Sequence, residues 1–312
     1  MLPIFVWIGG KRSLLPYLRE YFPERFTTYI EPFLGGGAVL LDILSARKNT
    51  YVKNVYAGDI NKNLIGFYQD ITFEPQELYT QIESIESDFT SLSTEKKKAY
   101  YYKCRSEYNE IAKENLPQSI RRSALFYFLM HNCYRGLYRS SRQDEFTTSF
   151  NPKAKPINLS KLLNFASFLN ECKQDLETFV FQAGNFNQFD SKIDSNSFIY
   201  LDPPYRRKPN EHFFYQGDII EEQQKIVRIS IDELQKVVIK NVIEWAKRGA
   251  KIVLSNQDFN DDFYDDFITK SGFYVEKLSI PKVFSSQSRK KRIELIFSNI
   301  SKKQKSLDLS IS

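Results

Sequence analysis

The nine residues from Ser197 to Tyr205, Ser-Phe-Ile-Tyr-Leu-Asp-Pro-Pro-Tyr, constrain this chain more than any other stretch. Phe198, Ile199, Tyr200 and Leu201 form an uninterrupted apolar run, the pattern of a short strand buried on both faces, as in parallel sheets. Pro203 and Pro204 stop the ladder and hold a stiff extended turn. Asp202 and Tyr205 are then presented just past the strand's carboxyl end, where open α/β sheets bind ligands.

The residue types at that turn fit one chemical problem. An exocyclic amine on a nucleobase is a poor nucleophile because its lone pair is delocalised into the ring. Asp202 can accept one of its N–H groups, and the backbone carbonyl of Pro203 can accept the other. Holding both hydrogens turns the lone pair toward an electrophile, which is catalysis by orientation and electrostatics. Tyr205 offers a face for a base taken out of a duplex. Read alone, Asp-Pro-Pro-Tyr is also what a strand end followed by a Pro-Pro turn looks like.

A second constellation lies near the N-terminus. In Trp7-Ile8-Gly9-Gly10-Lys11 two glycines allow backbone to approach a ligand closely, although a plain N-terminal turn reads the same way. Lys11 opens an amphipathic helix predicted to reach Tyr21, where Pro23 ends it. Thr28–Glu31 is a strand running into Pro32-Phe33-Leu34-Gly35-Gly36-Gly37 and then a helix through Leu44. Strand, glycine-rich loop and helix make the shape of a nucleotide-type cofactor site. It is neither GxGxxG nor a P-loop, so it disfavours phosphate and allows an adenosine-bearing group without one. Val55–Ala57 is the next strand, ending at Gly58-Asp59-Ile60-Asn61. Asp59 stands where such folds put an acid on ribose hydroxyls, and it can equally cap a helix over Lys62–Ile71.

From 73 to 174 glycine nearly vanishes and helical spacing dominates. Helices are predicted over Glu95–Glu114 and Gln118–Asn132, the second buried through Leu125, Phe126, Phe128 and Leu129. His131 reads as core or polar packing rather than as a metal ligand, since no partner is in sight. Next comes a loop or hairpin in which Arg135, Arg139 and Arg142 are interleaved with Tyr134, Tyr138, Ser140 and Ser141. These residue types can grip phosphates or read base edges, or simply make a solvated basic loop. Thr178–Ala183 is a strand followed by Gly184, Asn185 and Phe186. The stretch 206–234 is polar and hard to assign, and can close over a substrate as a mobile loop. Val237–Lys247 is a helix stopped by Gly249. Ala250–Leu254 is another buried strand, and Phe273–Leu278 with Ile293–Phe297 are a closing strand pair. Between that pair lies a basic segment, 282–292, containing Arg289, Lys290 and Lys291, suited to phosphate or to a charged solvated hairpin. The end, 301–312, reads as a disordered basic tail.

Composition narrows the class. The chain has 312 residues, enough for one large or two modest domains. Its net charge of +6 favours a polyanionic partner mildly, and its 15% aromatic content suits base stacking as well as packing. Cys104, Cys133 and Cys172 are scattered, odd in number and without metal-ligand spacing, so they read as reduced structural thiols of an intracellular protein. No apolar run has membrane-spanning length.

These segments, in this order, resemble the Dam-like, D12 class of DNA adenine-N6 methyltransferases, in which the cofactor motif precedes the recognition region and D-P-P-Y follows it. The resemblance covers most of 7–299. It rests on Trp7–Lys11, Glu31–Ala38, Asp59-Ile60-Asn61 and Asp202–Tyr205, with Leu254–Asp258 and the stretch 285–295 in support. It implies a Rossmann-like α/β methyltransferase domain with a mostly parallel, seven-stranded sheet, built from 1–72 and 175–300. The inserted 73–174 would be a helical target-recognition domain.

S-adenosylmethionine would be the donor, lined by Trp7, Gly9, Lys11, Phe33, Gly35, Gly36, Asp59, Asn185, Phe186 and Asp202. Asp202, Pro203, Pro204 and Tyr205 would be catalytic. Arg135, Tyr138, Arg139, Ser140, Arg142, Arg289, Lys290 and Lys291 would touch double-stranded DNA. No metal is implied. The implied setting is the cytoplasm of a bacterium or a phage-infected cell, as a monomer or weak dimer, either with a cognate restriction endonuclease as a functional partner or as an orphan or phage methylase. The implied target is a short site such as GATC or a relative of it. Members that methylate GATC read closer to Arg-x-Asn-x-x-Gly-x-Phe-Asn where this chain has Arg139-Ser140-Ser141-Arg142-Gln143-Asp144-Glu145-Phe146, which keeps Arg139 as guanine reader and changes its neighbours. Asn185 stands where the family usually has an acid. The alternatives are a methyltransferase of RNA adenine and a DNA-binding protein that keeps the fold without catalysis.

Overall fold

A computed structural model describes residues 1–113, 119–141, 145–206, 217–220, 226–259, 261–281 and 291–303. The strands are β1 (Thr28–Glu31), β2 (Asn54–Asp59), β3 (Thr178–Ala183), β4 (Ser197–Leu201), β5 (Gly217–Ile220), β6 (Ile226–Ile229), β7 (Lys251–Gln257), β8 (Tyr274–Pro281) and β9 (Lys291–Ser298). Seven of them form one sheet in the order β3-β2-β1-β4-β7-β9-β8, and β5 with β6 make a separate antiparallel pair. The pairs β2–β3, β1–β4 and β4–β7 are parallel, whereas β9 runs antiparallel to both β7 and β8. With its flanking helices this is the Rossmann-like methyltransferase architecture expected from the sequence. The strand order reverses between β1 and β4, the kind of switch point at which such sheets bind ligands. The chain divides into two compact units.

The first unit comprises 1–12, 32–49 and 53–188. Its strands β2 and β3 pair in register from Asn54 opposite Thr178 to Asp59 opposite Ala183. Its helices are Ala38–Ser45, Lys62–Phe73, Pro75–Ser91, Thr94–Lys113, Ile120–Asn132 and Leu159–Asp175, with a single turn at Arg47–Thr50. Ile120–Asn132 is buried almost all round, beyond the one face expected, with Leu125, Phe126, Phe128 and Leu129 wholly inside. Phe67 stacks on Tyr127 at 5.3 Å and Phe5 packs edge-on to both Phe67 and Phe126. His131 is exposed rather than core, with Nε2 2.8 Å from the Lys155 carbonyl. The three cysteines are buried free thiols, and burial pushes Cys104 and Cys172 up to about 11 and Cys133 to about 12.

The second unit comprises 13–31, 50–52 and 189–312. Every residue of β1 and β4 is buried, as the apolar runs require, and Phe198 packs against Phe22, Phe26 and Tyr29. Helix Ile231–Lys247 begins with a reciprocal cap between Ser230 and Glu233, and its Trp245 is buried with Nε1 donating to Asp190.

The continuous helix predicted from Lys11 to Tyr21 is instead three short pieces, Lys11–Ser13, Leu15–Leu18 and Arg19–Tyr21. Pro16 is the reason: it has no N–H and is tolerated only in a first turn, so the helix restarts there. Lys302 and Lys303, at the start of the expected tail, are tied down. Lys302 pairs with Glu20 and Glu276, and the Lys303 N–H donates to the Glu20 carbonyl. No helix among the described residues is long and apolar enough to cross a membrane.

Candidate active site and its relatives

In the first unit, three strand-exit loops are gathered on Gly58 and Asp59. The Leu34 N–H, in the loop after β1, donates to the Gly58 carbonyl at 2.8 Å. The next N–H, Gly35, donates to Asp59 Oδ2 at 2.9 Å. From the loop after β3, the Gly184 N–H donates to the Asp59 carbonyl at 3.0 Å. Asp59 Oδ1 takes the Asn61 N–H. The helix cap proposed for Asp59 falls to Asn61, whose Oδ1 accepts from the N–H groups of Asn63 and Leu64. Asp59 is thereby a fixed carboxylate, held by the backbone N–H groups of Gly35, Asn61 and Ile60. Burial raises its pKa above 3.8, against the lowering effect of the Asn61, Gly35 and Ile60 N–H groups.

This donor set suits an adenosine group without phosphate. The Gly35 N–H, which a phosphate loop would aim at its ligand, is taken by a carboxylate that would repel phosphate, and the Gly37 N–H closes a turn on Leu34. Phe33 and Phe186 stack at 5.5 Å, 15° from parallel, beside the half-buried Asn185. Lys11 is buried and its ammonium donates to the Gly9 carbonyl at 2.8 Å. Gly37 sits in the left-handed region at φ 69°, and a Cβ there would lie 2.7 Å from Tyr68 Oη. The same hydroxyl donates to the Gly36 carbonyl. The structure thus brings together Gly35, Asp59 and the Phe33–Phe186 pair, with Trp7 against Gly35 and Gly36.

In the second unit, β4 delivers Asp202, Pro203, Pro204 and Tyr205 in a loop that is clamped from below. Gln235, fully buried, donates from Nε2 to the Pro204 carbonyl at 2.7 Å. Its Oε1 accepts from Asn256 Nδ2 at 2.8 Å and from the Tyr264 hydroxyl at 3.3 Å. The Pro204 carbonyl is thus held by a side chain. The Tyr205 hydroxyl donates to Oε2 of the fully buried Glu294 at 2.8 Å. Arg206 closes the loop, bidentate to Asp261, bonded to Asp232 and lying 3.7 Å over the Phe263 ring. Burial, then the charges of Asp202 and Glu294, hold the Tyr205 phenol well above its ordinary pKa. The Tyr200 phenol is raised by burial and by Asp202, Glu31 and Glu294, while the bond it shares with Ser255 opposes the rise.

The sequence reading missed Gln235, Asn256 and Glu294 as supports of this loop. A signal was present for Glu294, an acid in the middle of the apolar run Ile293–Phe297.

The expected DNA-reading segment is a hairpin stem, with Ser140 bridging Phe146 and the Ser141 N–H donating to the Glu145 carbonyl. Arg135, Arg139 and Ser140 are exposed, and Arg135 has φ 59°. Tyr138 is half-buried among Trp7, Phe126 and Phe146. Arg142, Arg289 and Lys290 lie outside the described residues, as does most of 206–229, and of Lys291 only its backbone pairing with Pro281 is described.

Residues 7–278 match the family described as D12 class N6 adenine-specific DNA methyltransferase. The chain is 31% identical to the type II methyltransferase M.MjaIII of Methanocaldococcus jannaschii, over 93% of this chain and 95% of that one. It is 24% identical to the type II methyltransferase M1.LlaDCHI of Lactococcus lactis, over 95% of each. It is 25% identical to the DNA adenine methylase of Haemophilus influenzae, over 94% of this chain and 91% of the relative. With a carboxylate-and-proline turn after β4, a glycine loop tied to Asp59 and a family match across nearly its whole length, the chain belongs to the D12 class of N6 adenine-specific DNA methyltransferases.

Proposed function

We propose that the protein transfers a methyl group from S-adenosylmethionine to N6 of an adenine within a short duplex DNA site. The observation that carries this reading is the clamped Asp202–Tyr205 loop. Gln235 engages the Pro204 carbonyl and Glu294 engages the Tyr205 hydroxyl, so the turn that carries the Asp202 carboxylate and the Pro203 carbonyl, the two groups proposed to take the hydrogens of an amine, is held in place. S-adenosylmethionine, when bound, supplies an electrophilic methyl group. Asp59 would accept from its ribose hydroxyls, Phe33 and Phe186 would form the apolar wall by its adenine with Asn185 at that ring's edge, and Lys11 would face its carboxylate. Trp7, Gly9, Gly35 and Gly36 shape the loop around it. In the second unit, Asp202 and the Pro203 carbonyl orient the adenine amine so that its lone pair, rather than an N–H, faces the methyl group. Tyr205 stacks on the extruded base.

The segment 73–174 is proposed to read the target, with Arg139 on a guanine edge and Arg135 and Ser140 on backbone or bases. GATC, or a site related to it, is the proposed target. The type II names of two relatives support a role beside a cognate restriction endonuclease. The test is to incubate the protein with unmethylated duplex DNA or with structured RNA, each with S-adenosylmethionine, and to analyse the nucleosides by mass spectrometry. N6-methyldeoxyadenosine from the duplex is expected, and sequencing of that DNA reports the site. Methylation of RNA alone, or of cytosine, would overturn the assignment.

A further inference from the structure

Trp7 is gripped on two sides, both within the first unit. On one, the glycine loop comes so close that a Cβ on Gly36 would sit 2.9 Å from Trp7 Cβ, and one on Gly35 would sit 3.1 Å from Cδ1. On the other, the indole stacks on the Tyr138 ring, with centroids 5.9 Å apart and planes 13° from parallel. Tyr138 is wedged in turn by the edges of Phe126 and Phe146, each at 5.7 Å.

Phe146 is itself anchored. Asn109 accepts its N–H at 2.7 Å and donates to its carbonyl at 3.2 Å. One turn back on the same helix, Arg105 donates to the carbonyls of Thr147 and Thr148, and one turn further Tyr101 donates to that of Thr148. Residues 101, 105 and 109 are four apart and share one helix face, so the returning limb of the hairpin is racked against Thr94–Lys113 in fixed register. The outgoing limb begins with Tyr138 and continues directly into Arg139 and Ser140.

We infer that Tyr138 is a positioning residue that couples donor binding to DNA binding through its stack on Trp7. The inference rests on the function proposed above. Close-packed contacts do not deform continuously, so a glycine loop fixed by a bound donor fixes Trp7, then Tyr138, then the start of the hairpin. Linkage requires the converse: DNA on the hairpin raises donor affinity by the same factor. Tyr138 then acts on DNA through the protein. A direct DNA contact at that position would instead weaken DNA binding equally with and without donor.

The test measures the dissociation constant of S-adenosylhomocysteine, which cannot react, by calorimetry. It is measured alone and with a saturating duplex that carries the site found by sequencing. The wild-type ratio is expected to lie between about 5 and 150, the usual range of coupling between sites. Tyr138→Phe, which keeps the flat ring, should preserve the ratio. Tyr138→Met, which conserves volume and removes the flat face, should bring it to about one. A wild-type ratio of one overturns the inference whether or not the Met variant folds, and so does a Met variant that keeps the wild-type ratio. Failure of the underlying function looks different: the wild-type protein would then neither bind S-adenosylhomocysteine nor methylate DNA.

Discussion

Tyr205 carries two separable roles, and substitution can pull them apart. Its hydroxyl donates to a carboxyl oxygen of Glu294, a residue with no solvent exposure, at 2.8 Å. Tyr205→Phe removes that donor and leaves the oxygen facing a ring edge in a dry place, at a cost of about 1–3 kcal/mol of unfolding free energy. Urea denaturation should show that loss at unchanged slope. The aromatic face survives, so kcat/KM for DNA methylation should stay within about threefold of wild type, as expected when base–aromatic stacking is retained.

Tyr205→Ala removes the face as well. Stacking is worth about 1–3 kcal/mol per base, and at 1.36 kcal/mol per tenfold in rate this predicts a fall in kcat/KM of about 5- to 160-fold. The phenol is held far above its ordinary pKa by burial and by Asp202 and Glu294, so it stays protonated at any pH where the protein works. The pH–rate profiles of wild type and Tyr205→Phe should therefore have the same shape. A Phe variant that loses as much activity as the Ala variant would refute the stacking role. A Phe variant as stable as wild type would refute the buried bond.

Other outcomes follow from the same geometry. Ribose hydroxyls donating to Asp59 favour its charged form, so its pKa falls on donor binding; donor affinity should rise with pH through the raised free-protein value and level off above it. Titration calorimetry across acidic pH checks this, and Asp59→Asn should flatten the profile. Gly37→Ala forces a left-handed φ of 69° on alanine and pushes a Cβ to 2.7 Å from Tyr68 Oη, so it should lower unfolding free energy by about 2–4 kcal/mol in chemical denaturation. Asn109→Ala unclamps both backbone groups of Phe146, so amide exchange at 145–148 should accelerate and discrimination between methylation sites should weaken, read by sequencing methylated DNA.

Much of the fold was legible because its strands are short, apolar and punctuated. Thr28–Glu31 and Thr178–Ala183 have the bounds read from the sequence, closed by proline and by glycine, and the run Phe198–Leu201 is a strand that starts one residue earlier, at Ser197. Val55–Ala57 and Ala250–Leu254 extend further, to Asp59 and Gln257, because polar side chains at a sheet's ligand-facing end still pair their backbones. The segment after Lys11 misled because its amphipathic spacing masks the restart that Pro16 imposes. The floor of the Asp202 loop was hidden for another reason. Gln235, Asn256 and Glu294 come from a helix and two strands distant in sequence, and no local pattern announces that they meet. The stack of Trp7 on Tyr138 joins residues 131 positions apart and was invisible on the same ground.

The central claim is that the Asp202 carboxylate holds the amine that receives the methyl group. Its most direct test is Asp202→Ala assayed side by side with wild type for incorporation of labelled methyl groups into duplex DNA, with binding of S-adenosylhomocysteine and of DNA measured on the same preparations. Methyl transfer should fall by a factor of at least about a hundred, the scale of removing one preorganised polar group from a reacting centre, while both ligands still bind. Turnover near the wild-type rate in that variant would contradict the account.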